Sequence, residues 1–307
     1  MAKNRTNAII ATAAIAFIGF GCWSSGTNRS ASSDSTPMVY STPDASNTKK
    51  PDTNENTNKM TEKRGFTANL PEGFKAPTDD AGRLLLKEYG AVFVARGGVT
   101  PPKTVVFRDQ SEVSSFQSGL KTSTESIGGF TLELQAAAMD GLRKAIADAK
   151  AAGLSISPRD KDSAKRSYDE TIELWNSRVD PALKHWVSKG RMTQAQADKL
   201  KSLSPYEQVP EVLKLEAQGI YFARDLSKSI IYSVAPPGTS QHLSMLAMDV
   251  KEHEDPKVRD ILAKHGWYQT VVSDLPHFTY LGVGDLELPK LGLKRISDNG
   301  RTFWIPE

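Results

Sequence analysis

The chain has 307 residues, of which 38% are hydrophobic and 24% charged, with a formal net charge of +3 and one cysteine. That length leaves room for one large domain or two small ones with tails. The mild charge, with Lys and Arg interleaved among Asp and Glu, argues against a nucleic-acid partner, and a single thiol excludes an internal disulfide or a cysteine-based zinc site. A metal centre here has to be built from histidines and carboxylates.

At the N-terminus Lys3 and Arg5 precede the apolar run AIIATAAIAFIGF (8–20), which closes on Gly21-Cys22. The run is short for a bilayer span, so residues 1–22 are expected to be an export signal. The pattern resembles a lipoprotein signal, with Gly19 where such signals usually carry Leu, and implies lipidation at Cys22; an uncleaved N-terminal anchor is the alternative. Either reading places the body outside the cytoplasm, on the envelope side of a membrane. Residues 23–65 are dominated by Ser, Thr, Asn, Asp and Pro. Such a segment buries too little apolar surface to offset the entropy of ordering it, and is expected to be a disordered tether.

The globular part is expected over 66–307. RLLLKEYGAVFVARGG (83–98) and KTVVFRD (103–109) carry β-branched and aromatic runs closed by Gly or Pro, and read as strands or as a short helix and strand. TLELQAAAMDGLRKAIADAKAAG (131–153) reads as one helix ending at Gly153. Residues 162–190 are expected to be helical with a break at Pro181, and 193–203 and 206–219 continue the helical trend. From Ser227 the texture changes to short β-like segments, SKSIIYSVAPPG, LAMDV, WYQTVVSDL and HFTYLGV. Helices followed by strands point to an α+β fold rather than an alternating parallel sheet.

Chemistry-bearing residues are sparse. SQHLSMLAMDV (240–250) places His242 and Asp249 in an otherwise apolar run, and SDLPHFTYLG repeats the theme with Asp274 and His277. A catalytic zinc takes three His or carboxylate ligands and leaves one position open. One histidine on an apolar strand is more often a hydrogen-bonded structural residue; His242 and Asp249 are candidates for two ligands, and His277 for a third. His185 and His253 are expected at the solvated surface, and His265 at a helix C-terminus before Gly266. Trp175, Trp186 and Trp267 are expected in the core.

PPGTSQHLSMLAMDV resembles the Ser-x-His-x-x-Gly-x-Ala-x-Asp signature, preceded by Pro-Gly, of the zinc D-alanyl-D-alanine carboxypeptidases of the vancomycin-resistance type. Pro237, Gly238, Ser240, His242, Ala247 and Asp249 match in register. The second motif of that family, Glu-x-x-His, an aromatic, then Tyr-x-Gly, is met by His277, Phe278, Tyr280 and Gly282. KRSYDETIELW retains Arg166, Ser167, Tyr168 and Leu174 of a third. Together the motifs span roughly 130–283.

The resemblance implies a Hedgehog/DD-peptidase-like domain, in which helices pack on a small, mainly antiparallel sheet carrying the zinc. It implies zinc as cofactor, with His242, Asp249 and His277 as ligands, Asp274 as general base and Arg166 as the cation that binds substrate and steadies the oxyanion. Ser240 would support His242 by a hydrogen bond. The implied substrate is a peptidoglycan stem peptide, cut at or near its D-alanine end. On residues alone, Arg166 could equally pair with Glu170 on a helix surface, and Arg224 is a rival cation. The sequence departs from the family at Asp274 (Glu expected), Met245 (Gly), Pro276 (often Trp) and in extra helices at about 176–219. A wall-binding or regulatory protein that keeps the fold without catalysis is the alternative.

Overall fold

The computed structural model describes residues 65–307; the expected signal segment, Cys22 and nearly all of the expected tether lie outside the described residues. The body is a mixture of seven α-helices and three small antiparallel sheets among those residues, an α+β arrangement. No helix among them is long and apolar enough to cross a membrane.

Helix α1 (Asp80–Tyr89) starts at Asp79, whose carboxylate accepts from Gly82 N at 2.8 Å, and α2 (Gln110–Ser118) starts likewise at Asp109. A hairpin follows, β1 (Thr122–Ile127) on β2 (Phe130–Gln135), leading into α3 (Ala136–Ala151). Then come α4 (Tyr168–Ser188), α5 (Gln194–Ser202) and α6 (Pro205–Glu216). The central sheet is β3 (Ala247–Asp249), β4 (Trp267–Tyr268) and β5 (His277–Tyr280) in the order β3-β5-β4, with α7 (Pro256–Lys264) between β3 and β4. Strands β6 (Leu293–Asp298) and β7 (Arg301–Pro306) close the chain as a second hairpin.

Several expected elements differ. The 131–153 segment is not one helix: Thr131–Gln135 belongs to β2, because Leu132 and Leu134 alternate inward with the two-residue period of a strand and bury completely. Residues 103–109 form no strand and touch Lys75 through one isolated bridge, and the run after Tyr89 is a 3-10 turn (Gly90–Val94). The segment expected as β-like around Ile230 is a short 3-10 turn. Pro181 does not break α4, which runs through it; buried Val179, Ala182 and Leu183 hold the helix on the core on both sides of the lost N–H donor. Among the extra helices, α6 is tied to α4 through buried Trp175, whose indole N–H donates to Gln208 Oε1 at 2.5 Å.

Two glycines of the expected motifs serve the backbone. Gly238 has φ +79°, and a Cβ there would sit 1.9 Å from the Phe107 carbonyl oxygen. Gly282 has φ +70°, with the Arg96 carbonyl oxygen at 2.2 Å from the same hypothetical atom.

Candidate metal centre

The site is made by strand register. In the β3–β5 pair Asp249 lies directly opposite His277, and residues facing each other across antiparallel strands project from the same face about 5 Å apart. His242 arrives from the 3-10 turn Gln241–Ser244 that feeds β3. Met245 joins the turn to the strand with φ 59°, ψ 29°. That left-handed geometry is what a glycine adopts freely and what costs another residue about 1 kcal/mol. The Met245 side chain, where the family motif has glycine, is fully buried and does not line the cavity.

His242 Nε2 is 3.3 Å from Asp249 Oδ1, and His277 Nδ1 is 3.2 Å from the same oxygen. The ligand atoms of all three residues lie within 4.8 Å of one another, and all three residues are buried. The outer ring nitrogens fix the tautomers. His242 Nδ1 is 2.6 Å from the Ala164 carbonyl oxygen, which can only accept. His277 Nε2 is 3.0 Å from Gln241 Oε1. Gln241 is itself oriented, because its amide nitrogen donates to the Tyr89 carbonyl at 2.9 Å while Oε1 also accepts from Thr279. Both outer nitrogens therefore donate to fixed acceptors, and both inner nitrogens face the same Asp249 carboxylate oxygen.

Burial, then the nearby Arg166 charge, push the His242 imidazole below its ordinary pKa, against a weaker pull from Asp249. Burial alone would raise Asp249, but the attraction and hydrogen bonds of the two histidines hold it well below the usual carboxylate range. Two inward-facing imidazole nitrogens and an ionised carboxylate suit a divalent cation, whose binding displaces any proton held between them. Tetrahedral zinc with ligand bonds of about 2.0–2.1 Å spaces its ligand atoms roughly 3.3 Å apart, close to the two separations from Asp249 Oδ1. These residues fit zinc, with a coordination position left for water or substrate.

Arg166 is drawn into the same cluster. Ser167 caps α4 in a reciprocal pair with Glu170, whose carboxylate takes the Ser167 N–H at 2.6 Å. Glu170 is thereby occupied, and Arg166, one residue outside the helix, reaches inward: Nη2 to Asp249 Oδ2 at 2.9 Å and Nε to the Asp162 carbonyl at 3.0 Å. The pairing of Arg166 with Glu170 is not formed. The segment before it runs along β3, with Asp249 N on the Ser163 carbonyl and Arg159 N on the Asp249 carbonyl. This delivers both the Ala164 carbonyl and Arg166.

Asp274 sits in the turn leading into β5; its carbonyl accepts from His277 N at 3.2 Å, which accounts for the three-residue spacing. It is exposed and lines a cavity of about 330 Å³ together with the three candidate ligands, Arg166 and Ser240. Ser240 is not the partner of His242, a correction with a simple reason. The one proton on that ring is spent on Ala164, and the other nitrogen faces Asp249. Arg224, the rival cation, is exposed and does not line the cavity. A larger concavity of about 1560 Å³ opens beside α1 and α6 but contains no histidine.

His265 caps α7 as expected and bonds Asp148 at 2.8 Å. His253 is half-buried rather than solvated, and His185 packs edge-on to Trp186. Sequence reasoning passed over Gln241 and the Ala164 carbonyl. The signal for Gln241 was an amide between two motif residues in an apolar run; the carbonyl left none.

No protein-family model matches the chain, and no curated protein matches it. Among solved structures it is similar to the crystal structure of a mutant of the vancomycin resistance D,D-pentapeptidase VanY, from a VanB-type resistance cassette, in complex with Zn(II). The two share 18% identity over 52% of this chain and 79% of that chain, with a TM-score of 0.30.

Proposed function

We propose that this chain is a zinc metallopeptidase of the D-alanyl-D-alanine carboxypeptidase kind, with a Hedgehog/DD-peptidase-like domain acting on peptidoglycan stem peptides. The observation that carries the reading is the convergence of His242 Nε2, His277 Nδ1 and Asp249 Oδ1, with the outer nitrogen of each ring committed to a separate acceptor. The three motif matches in the sequence support the same assignment.

Zinc, when bound, supplies Lewis acidity that acidifies water and polarises a carbonyl oxygen. The chain's own groups do the rest. The Asp274 carboxylate takes the proton of the attacking water and returns it to the leaving amine. Arg166 has Nη1 without a partner among the described residues, and offsets the charge that gathers on the carbonyl oxygen. Gln241 and the Ala164 carbonyl hold the imidazoles in the tautomers that leave the inner nitrogens free to ligate. Export and an N-terminal lipid or signal anchor, read from residues 1–22, would bring this chemistry to the cell envelope, where stem peptides are found.

Metal analysis of the purified protein, combined with mass spectrometry of muropeptides before and after incubation, tests the reading. One zinc per chain and loss of a terminal D-alanine are expected; absence of both sinks it. A second reading, a wall-binding protein without turnover, draws on Asp274, one methylene shorter than the Glu of the family. In the enzyme, Asp274→Ala abolishes turnover while zinc stays bound. Activity appearing only in Asp274→Glu marks a degenerate site.

A further inference from the structure

Arg178 lies on α4, one turn beyond Leu174, and both line the cavity that holds the His–Asp–His cluster. Its guanidinium is steadied by hydroxyls, Nε donating to Ser233 Oγ at 3.0 Å and Nη1 to Ser177 Oγ at 2.8 Å. Hydroxyls orient a cation without neutralising it. Among the described residues no carboxylate pairs with Arg178, whereas Arg166 is paired with Asp249. Nη2 has no protein partner among them. Burial, then the charge of Arg224, lower the Arg178 pKa, the signature of a cation that no ion pair neutralises.

The surface beside it is apolar. Ser233 belongs to the stretch that also presents Tyr232, Val234 and Ala235 to the cavity. Leu174 and Tyr232 are each 39% exposed, in a molecule that buries most of its large apolar side chains. Of the acids on the lining, Asp249 is paired with Arg166, while Asp160 and Asp274 disfavour an anion beside them; Arg159, the remaining cation of the lining, is solvent-exposed. A volume of about 330 Å³ is at the small end for ligand cavities and takes one or two residues of a peptide.

We propose that Arg178 is the carboxylate-recognising group of this cavity, taking the free C-terminal α-carboxylate of a peptide while Leu174 and Tyr232 cover a short alkyl side chain next to it. The proposal rests on the peptidase reading and sharpens it: the preferred substrate is a chain end, and an internal peptide bond is disfavoured. A planar fork with two uncommitted N–H groups suits a carboxylate, and a charge-assisted pair of this kind is worth about tenfold or more in affinity.

The test titrates N-acetyl-D-alanyl-D-alanine and its C-terminal carboxamide into the full chain. Binding is followed by the arginine Nε–H resonances in NMR, first with EDTA present, so that no turnover intervenes, then with zinc. The acid is expected to bind about tenfold or more tightly than the amide and to shift the Arg178 resonance. Arg178→Ala should erase the acid–amide difference, and Arg178→Lys should keep part of it, with circular dichroism and zinc content unchanged in both. Equal binding of acid and amide, no binding of either, or full acid preference in Arg178→Ala overturns the proposal. The two readings fail separately. Acid preference through Arg178 without release of D-alanine in zinc removes the peptidase; zinc-dependent cleavage of acid and amide at equal rates removes Arg178.

Discussion

At the scale of single residues, the informative side chain is Gln241. It is buried, donates to a main-chain carbonyl and accepts from His277 and Thr279, so its amide is oriented before any metal arrives. Replacing it with Met keeps the volume but removes the acceptor, and His277 is then free to place its proton on the inner nitrogen. Zinc affinity of Gln241→Met is expected to fall about 10–100-fold, the usual cost of losing a group that orients a ligand. A chelator competition titration measures it; unchanged affinity would show that strand register alone aims the ring. Met245 carries the opposite lesson. The motif has glycine at this position, and the φ of 59° shows that what the position demands is left-handed backbone.

At the scale of elements, the β3–β5 register makes Asp249 and His277 neighbours, and the cap of α4 releases Arg166 toward them. The loop carrying the cavity wall is pinned from the end of α6. Glu216 is buried and accepts from Ser229 Oγ, from Ile230 N at 2.7 Å and from Phe222 N at 3.0 Å. Burial raises its pKa above the ordinary 4.5, and the three donors pull back only part of that rise. A carboxyl with a raised folded pKa binds more protons folded than unfolded. Its stabilisation is therefore complete below the unfolded value and is lost as pH climbs through the folded one. The stability of the wild type minus that of Glu216→Gln should fall as pH rises from about 4 and then level off. Denaturant melts at several pH values supply the curve, and a difference that rose with pH would contradict the sign.

At the scale of the whole molecule, a cation shared by segments around 242, 249 and 277 binds only the folded chain. Zinc at a hundred times its dissociation constant adds about 2.7 kcal/mol. For a body of this size that raises Tm by about 5–10 °C. Thermal melts with EDTA and with zinc check this, and His277→Ala should remove the shift; a shift surviving in that variant would place the metal elsewhere. The extra helices reach the cavity through Arg178 of α4, and Gln208 of α6 takes the indole N–H of buried Trp175.

The sequence by itself determined the mixed α+β character, the existence of helices α4, α5 and α6, and the choice of His242, Asp249 and His277 as candidates. These rest on local periodicity and on polar residues isolated in apolar runs, both of which a linear string records. It misread 131–135 and 103–109, because short apolar runs suit strand, helix or loop until tertiary packing chooses. The tautomers of the two histidines, the grip of Arg166 on Asp249 and the place of Arg178 were decided only in three dimensions. Each depends on a carbonyl, a hydroxyl or a carboxylate tens of residues away, and a backbone carbonyl such as that of Ala164 leaves no mark in the sequence at all.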